Sequence, residues 1–421
     1  MKLHTRTNPF LLMAGLYMVL GVLAATGKLT FELGLVEALP RLRWVTIHFV
    51  TIGGMTQTVF GVLPRFVAAV TDGSRSIHYR NRWLQWGALN AGYPLILIGM
   101  TAGSATTAGT GAGMVLVALV SLFVTLYRLR PASNRSGGVG RYFRTAPSFL
   151  VIGILAAFGM LFGIHGPGGY FGSLEAHVHA NVWGFLGLVV AGVLLTVLPR
   201  LLDVPLRFPR LRVITYWGLT VGAMGLVAGP WLARHEFTIG GLAMYVLGTT
   251  ALLVNVGGTY RLSERTWDSR FVLVLGAYLW LLFPVPWAPL VILFPDAVPA
   301  GAIETAAING LVFGWMLQLA MAFLPVVAIA ALQPSSEFIG AIPDATEEGS
   351  SPSWLQVGSV NTGMLFLWAT AFPPVVDVAS LLTLAGYFLI TAAWAVFVVD
   401  LWGALVGRNV VPRHADESPS G

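Results

Sequence analysis

The sequence predicts an all-α, polytopic membrane protein with about twelve transmembrane helices, arranged as three four-helix units around a pseudo-threefold axis. Of its 421 residues, 56% are hydrophobic and 10% are charged, and the mean hydropathy is +0.77, whereas a soluble domain carries about 25% charged residues. Apolar stretches of about 20 residues, which suffice to cross a bilayer as a helix, recur about every 35 residues. A spacing of glycine and proline also recurs three times. A soluble enzyme is therefore excluded.

The apolar stretches are continuous, which favours helices over the strands of a membrane barrel, where hydropathy alternates over about 10 residues. The first stretch lacks a small-residue cleavage pattern, so we expect it to be a retained helix. The predicted spans are 9–26, 44–66, 84–103, 112–128, 146–164, 176–199, 213–232, 238–260, 271–293, 305–332, 354–372 and 379–403.

Arginine in alternate loops predicts the orientation of the chain. The arginine-rich loops follow the second, fourth and sixth spans, and they contain Arg65, Arg75, Arg80 and Arg82; Arg128, Arg130, Arg135, Arg141 and Arg144; and Arg200, Arg207, Arg210 and Arg212. Because arginine and lysine prefer the cytoplasmic side, both termini are predicted to be cytoplasmic in a multi-pass protein of the cell membrane. These basic residues orient helices in the lipid bilayer and do not indicate nucleic-acid binding.

Three even-numbered spans share a spacing of two small residues after an anchor residue, and a proline follows in each. The sets are His48 with Gly53, Gly61 and Pro64; His179 with Gly184, Gly192 and Pro199, whose proline stands one turn later than in the other sets; and Asn309 with Gly314, Ala322 and Pro325. The anchors are 131 residues (179 − 48) and 130 residues (309 − 179) apart. This period predicts repeat units of about 1–135, 136–265 and 266–407 within a single transmembrane domain, 1–421, with a short cytoplasmic tail at 408–421.

Histidines within membrane spans indicate a functional site, because a polar side chain in lipid is unfavourable unless it is coordinated or hydrogen-bonded. His48 lies in the second span, and His177 and His179 lie at the start of the sixth, at the same predicted depth. Successive helical residues turn by about 100°, so His177 and His179 point about 200° apart and cannot ligate one ion together. This geometry disfavours a zinc site and suits haem, which needs one axial imidazole from each of two helices. A histidine bonded to a backbone carbonyl is the alternative interpretation.

The three-unit pattern, His48 and the run A-H-V-H-A-N resemble the catalytic subunit of the haem-copper oxidase and nitric oxide reductase superfamily. The smaller, haem-bearing NnrS-like proteins are similar. The resemblance implies that the second, sixth and tenth helices line the centre and that a b-type haem binds near the outer face, for electron transfer or for handling oxygen or nitric oxide. The cofactor-binding residues expected from it are His48, His177 and His179 as ligands, Gly53 and Gly184 against the macrocycle, and Arg41 and Arg43 near the propionates.

The chain also departs from this family. Asn309 stands where the third unit would offer a histidine, and the seventh span lacks the histidine pair that would bind copper. Asn181 and Trp183 stand where a tyrosine would follow the H-x-H run. We therefore expect no copper and no complete oxygen-reducing centre, so that the chain, if catalytic, would be oxidoreductase-like. An electron-transfer role would add a redox partner or small subunit.

Two further interpretations stay open at the level of sequence. His165 and His235 are expected in outer loops, and His4, His78 and His414 at the cytoplasmic surface. The rival function is a transporter or channel on the same twelve-helix scaffold, with Gln57, Gln318 and Asn309 lining a path, because transporters also combine internal repeats with polar residues inside the membrane.

Overall fold

The computed structural model describes residues 8–37, 40–70, 79–129, 138–265, 267–294, 296–333, 338–342 and 351–406. Regular structure in these ranges is helical throughout, which confirms the predicted all-α class. The long helices are α1 (Pro9–Glu32), α2 (Leu42–Ala69), α3 (Tyr79–Thr101), α4 (Ala105–Arg128), α5 (Gly140–Phe162), α6 (Gly169–Leu201), α7 (Leu211–Leu232), α8 (His235–Leu262), α9 (Ser269–Leu282), α10 (Ala300–Ala330), α11 (Trp354–Ala369) and α12 (Ala379–Val406).

Each of these helices corresponds to one predicted span. Within the described ranges, ten helical segments are long and apolar enough to cross a membrane, so the chain is a multi-pass membrane protein. The other two long helices are α3, which begins with polar and charged residues, and α11, which has 16 residues. His4, His78, His414, Arg75, Arg130, Arg135 and the predicted tail 408–421 lie outside the described residues.

The ninth span differs from the prediction of one continuous helix. After α9 the chain turns at Phe283 and resumes as a short helix, Trp287–Leu293. Pro284 and Pro286 stand in this turn, and proline cannot donate the backbone hydrogen bond that a continuing helix requires. The prediction from apolar character alone therefore merged two helices that the prolines separate.

The three helices with the repeated spacing are the most buried of the spans. The most apolar stretches of α2, α6 and α10 are 61%, 83% and 89% buried, against 33% to 56% for the other spans. In a membrane protein the burial of an apolar helix reports contact with other helices, since lipid covers the outer faces. These three helices therefore form the core of the bundle.

Each of the three core helices contains an eight-residue π-helical segment at the same place. The segments are Phe49–Thr56 in α2, His179–Leu186 in α6 and Gly310–Leu317 in α10. They begin at the anchor residue or one residue after it, and their starts are 130 and 131 residues apart (179 − 49 and 310 − 179). π-helical turns are rare and often occur at functional sites.

The first glycine of each repeated set packs against an aromatic residue of the preceding helix. A Cβ atom on Gly53 would collide with Tyr17 of α1, one on Gly184 with Phe149 of α5, and one on Gly314 with Trp280 of α9. The missing side chains thus allow α1, α5 and α9 to lie close against α2, α6 and α10.

The last two helices of each unit form a hairpin sealed by facing glycines. The contacts join Gly92 to Gly111 between α3 and α4, Gly218 to Gly248 between α7 and α8, and Gly363 to Gly386 between α11 and α12. A Cβ on Gly218, for example, would lie 2.6 Å from the Cα of Gly248. The same three kinds of feature, π segment, glycine against aromatic, and glycine hairpin, therefore recur in all three sets of helices.

The hairpins also contact the next set of helices. Gly109 of α4 faces Phe162 of α5, and the ring of Tyr260 in α8 stacks on Phe271 of α9 with centroids 3.8 Å apart. Gly21 of α1 faces Trp394 of α12. The order of these contacts closes the other nine long helices of the described residues into a ring around α2, α6 and α10.

Candidate functional site

His48 ends the α-helical first part of α2, directly before the π segment. Its Nδ1 lies 2.8 Å from the carbonyl oxygen of Trp44, and its ring stacks on the Trp44 indole with centroids 3.8 Å apart. Because a carbonyl can only accept, Nδ1 carries the proton in this hydrogen bond, and Nε2 is the nitrogen with a free lone pair. The half-buried ring is thus held in one tautomer and one orientation.

His177 of α6 is held in the same way by a different helix. Its Nδ1 lies 2.8 Å from the carbonyl oxygen of Gly153 in α5. The amide of Asn181, one turn along α6, lies beside the ring at 3.2 Å from Nδ1 and 3.4 Å from Nε2. A Cβ on Gly153 would collide with this amide. The glycine therefore leaves room for both the asparagine and the histidine against α5.

His48 and His177 come from different core helices, and a charge on one imidazole acts on the other. Both side chains are half-buried. Each Nδ1 is bonded to a carbonyl, so Nε2 is the nitrogen that each imidazole would offer to a metal. This pair is the candidate functional site.

His179 faces a different part of the bundle from His177. Its Nε2 is 3.7 Å from a carboxylate oxygen of Glu175, and its ring meets the edge of Trp183 with centroids 5.9 Å apart. Trp183 in turn packs against Tyr245 of α8 at 4.6 Å. The H-x-H run therefore supplies one imidazole to the His48 site and one to an aromatic cluster near α8.

The space beside Gly53 and Gly184 is occupied by side chains of neighbouring helices. The directions in which their side chains would point are filled by Tyr17 and Phe149. Both glycines therefore serve helix packing, and their expected contact with a macrocycle stays a prediction. Periodic small residues favour either role, and only the neighbouring helix distinguishes them.

Arg41 and Arg43 each contact another helix. Arg41 is exposed and contacts the sulfur of Met100 at 3.9 Å, while Nη2 of Arg43 donates to the carbonyl of Thr305 in α10 at 3.4 Å. Arg43 precedes His48 by five residues, which places it about 140° around the helix. The expected contact of the two arginines with propionates stays a prediction.

The amides assigned to a transport path are paired between helices. Gln57 Nε2 donates to Asn90 Oδ1 of α3 at 2.6 Å, and Gln318 Nε2 donates to Asn361 Oδ1 of α11 at 3.3 Å. Both glutamines are fully buried. These bonds join each core helix to its neighbour, as interhelical amides in membranes commonly do.

Asn309 is held within the third set of helices. Its Oδ1 accepts a hydrogen bond of 3.4 Å from the hydroxyl of Tyr387 in α12, and the residue is buried. The third anchor thus bonds to the last helix of its own unit. His48 and His177, in contrast, bond through Nδ1 to backbone carbonyls.

The remaining described histidines are exposed. His165 Nδ1 is 3.3 Å from the hydroxyl of Ser173, and His235 begins α8. Within the part of the chain that the structure describes, no three His, Cys, Asp or Glu side chains form a metal-binding group.

The sequence did not indicate the roles of Gly153 and Asn181 beside His177. Asn181 could have been found from its position one turn after His177, whereas Gly153 carries no local signal.

Two imidazoles would complete the axial positions of a haem, whereas they would leave a tetrahedral metal ion short of ligands. The chain matches no known protein-family model, and no curated protein matches it.

Proposed function

We propose that the chain binds a b-type haem between α2 and α6, with His48 and His177 as its axial ligands. The observation that carries this proposal is the hydrogen bond of 2.8 Å from Nδ1 of each imidazole to a backbone carbonyl, together with the electrostatic interaction between the two rings. In metal sites this hydrogen bond fixes the tautomer and orientation of a ligating histidine and raises its basicity. Both imidazoles are therefore held in the tautomer and by the kind of hydrogen bond that are typical of a metal-ligating histidine.

The bound haem would supply one-electron redox chemistry. His48 and His177 would hold it, while the Trp44 ring against His48 limits rotation of that imidazole. Two protein ligands favour electron transfer over gas handling, because oxygen or nitric oxide needs a free axial position. Gas handling is consistent with the same site if one histidine is displaced.

The residues near His179 do not form a copper site. That histidine lies between Glu175 and Trp183, and Trp183 continues into Tyr245. We therefore propose a haem protein without copper and without complete oxygen reduction. Its expected location is the cell membrane with both termini in the cytoplasm, and its electron-transfer role requires a redox partner or small subunit.

A pyridine haemochrome spectrum of the purified full-length protein tests this proposal. We expect a b-type haemochrome with a defined stoichiometry and the absorption of low-spin haem, because two imidazoles make iron low-spin. A protein reconstituted with haem that shows no stoichiometric binding would contradict the proposal. That result would favour the transporter or channel hypothesis, which solute or ion flux in proteoliposomes would then test.

A further inference from the structure

Positive charge is concentrated at the end of the bundle where α5 and α7 begin and α6 ends. The arginines at this end are Arg141 and Arg144 of α5, Arg200 of α6, Arg207 and Arg210 of the connection to α7, and Arg212 of α7. Within the described residues, no carboxylate lies within 4 Å of any of them. The first turns of α5 and α7 also contain no acidic residue, so this charge is not compensated by the described part of the chain.

Arg141 lies between the first turns of α5 and α7. Its guanidinium carbon is 4.3 Å from the centroid of the Tyr216 ring of α7, and its Nη2 donates to the carbonyl oxygen of Arg212 at 3.4 Å. Its Nε is buried and has no hydrogen-bond partner among the described residues. A guanidinium carries five N–H donors, so this one has donors left for an anion, and its charge has no partner of opposite sign.

Two tyrosines hold this arginine in place. The ring of Tyr216 packs against that of Tyr142 with centroids 5.2 Å apart, and its hydroxyl is 2.8 Å from the hydroxyl of Thr145. Tyr142 donates to the same carbonyl of Arg212 at 2.5 Å. The guanidinium of Arg141 is therefore fixed over the groove between residues 140–145 of α5 and 211–216 of α7, the α5–α7 seam. An arginine that only oriented its helix would extend into water instead.

The backbone at the α5–α7 seam favours an anion as well. Both helices begin here, and neither N-cap residue, Val139 or Arg210, supplies a side-chain acceptor to the first amides. These amides and the helix dipole attract negative charge. Arg212 stands in the first turn of α7, where its Nε donates to the carbonyl of Pro209 at 3.0 Å. Side chains and backbone therefore favour the same kind of ligand.

The face of α7 that continues from the seam is apolar and exposed. Val213, Ile214, Trp217, Val221 and Met224 are 42% to 58% exposed, and their spacing places them within an arc of about 100° on the helix. Tyr216 precedes Trp217, and its side chain lies about 60° from that of Val213, so this apolar face borders the seam. In a bilayer it contacts acyl chains, which a water-soluble phosphate lacks.

We propose that the α5–α7 seam binds an anionic phospholipid of the surrounding bilayer, with Arg141 and Arg212 at its phosphate and its acyl chains along the exposed face of α7. Guanidinium groups suit this role because they can donate two parallel hydrogen bonds to a phosphate. The inference does not rest on the proposed haem site. Arg141 precedes Gly153, whose carbonyl holds His177, by 12 residues (153 − 141), or about 18 Å along α5.

The test uses the purified, delipidated full-length protein in a neutral detergent and native mass spectrometry. The probes are dioleoylphosphatidylglycerol and dioleoylphosphatidylcholine, which have the same acyl chains and differ in net charge. We expect the wild-type protein to bind phosphatidylglycerol at least about tenfold more tightly. Arg141→Gln and Arg212→Gln should each lower this preference about fivefold, the size expected for one arginine beside an anionic lipid.

Arg261→Gln is the matched control. Arg261 is exposed at the same end of the bundle, but it stands in the last turn of α8, where carbonyl groups and the helix dipole disfavour an anion. Its loss should leave the preference unchanged. Tyr216→Phe keeps the ring beside the guanidinium and should also retain the preference. Arg212→Gln keeps the carbonyl that Arg141 and Tyr142 use, so it tests the site should Arg141→Gln fail to give a monodisperse protein.

Three results would overturn the proposal. Equal binding of the two lipids by the wild-type protein would show that the seam does not select a negative charge. An equal loss of preference in Arg141→Gln and Arg261→Gln would assign the selectivity to the charge of the whole surface. Displacement of phosphatidylglycerol by inorganic phosphate at the same concentration would show that the acyl chains contribute nothing and that the ligand is a soluble phosphate.

Discussion

The carbonyl of Gly153 in α5 accepts a 2.8 Å hydrogen bond from Nδ1 of His177 in α6. The residue that holds this histidine therefore belongs to a neighbouring helix, whereas His48 is held by Trp44 of its own helix. The orientation of His177 depends on the packing of α5 against α6, which Gly184 and Phe149 make close. Helix packing and ligand orientation are thus linked on the α6 side of the site.

Replacing His48 or His177 by leucine should abolish the low-spin haem spectrum, while His179→Leu should retain it. The reason is that the electrostatic interaction of His48 is with His177, whereas His179 faces Glu175 and Trp183. The Soret absorption and the low-temperature electron paramagnetic resonance spectrum check this. Loss of the low-spin signal in His179→Leu, with retention in His177→Leu, would reverse the assignment within the H-x-H run.

Gly153→Ala should weaken haem binding by about 10- to 100-fold, the size of effect typical when the residue that orients a metal ligand is disturbed. The added Cβ collides with Asn181 and so displaces the residues beside His177. Gly257→Ala in α8 is the matched control, because a Cβ there meets nothing within 4 Å. Titration of the two apo-proteins with haem measures the difference. Equal affinities would show that the Gly153 contact does not position the ligand.

Gln57→Leu should lower the free energy of unfolding by about 0.6–1.7 kcal/mol without changing the haem spectrum, as expected for an interhelical amide bond in a membrane. Gln318→Leu should behave alike, since both glutamines bond to an asparagine of the next helix. A double-mutant cycle with Asn90→Leu, followed by denaturant titration in detergent micelles, isolates the pair. Unchanged stability together with altered solute flux would instead support the transporter hypothesis.

The isolated, haem-loaded chain should reduce oxygen slowly or not at all. α7 carries no histidine, and His179 is packed by aromatic residues, so the residues needed for a copper ion beside the haem are missing. An oxygen electrode with an artificial electron donor measures the rate. Rapid uptake that cyanide inhibits would disprove this expectation and would direct attention to His165 and His235.

In an experimentally determined structure, Gly53, Gly184 and Gly314 should superpose when the molecule is rotated by about 120° around the axis between α2, α6 and α10. The common period of the anchors and the recurrent contacts of these glycines with Tyr17, Phe149 and Trp280 lead to this expectation. Superposition of the three units gives the measurement. Glycines that fail to superpose would reduce the repeat to a coincidence of spacing.

Most of the fold follows from hydropathy, because lipid allows only helices that satisfy their own backbone hydrogen bonds. The break after α9 was not predicted, since apolar character continues through Pro284 and Pro286. The period also pointed to His179 as the counterpart of His48, whereas His177 is the histidine that interacts electrostatically with His48. Spacing gives the position of an anchor along a helix, but which of two nearby histidines faces a partner depends on the rotation of the helix.

The roles of glycine and arginine were less accessible from sequence. A glycine that accommodates Phe149 and one that accommodates a macrocycle obey the same spacing, and only the fold brings Phe149 to Gly184. Arg43 lies in the first turn of α2, close to His48 in sequence but about 140° away around the helix. Its contact is Thr305, 262 residues later in the chain, which no local pattern indicates.

The π segments bear on the evolutionary history of the chain. A π-helical turn arises when one residue is inserted into an α-helix, because the extra residue must be accommodated within the existing turns. The three π segments begin at Phe49, His179 and Gly310, which are equivalent places in α2, α6 and α10. One insertion in an ancestral four-helix protein, followed by two duplications and fusion, would account for all three segments, whereas separate insertions would have to occur at the same place three times. In such a history the anchors would have diverged after duplication, with Asn309 in the third unit.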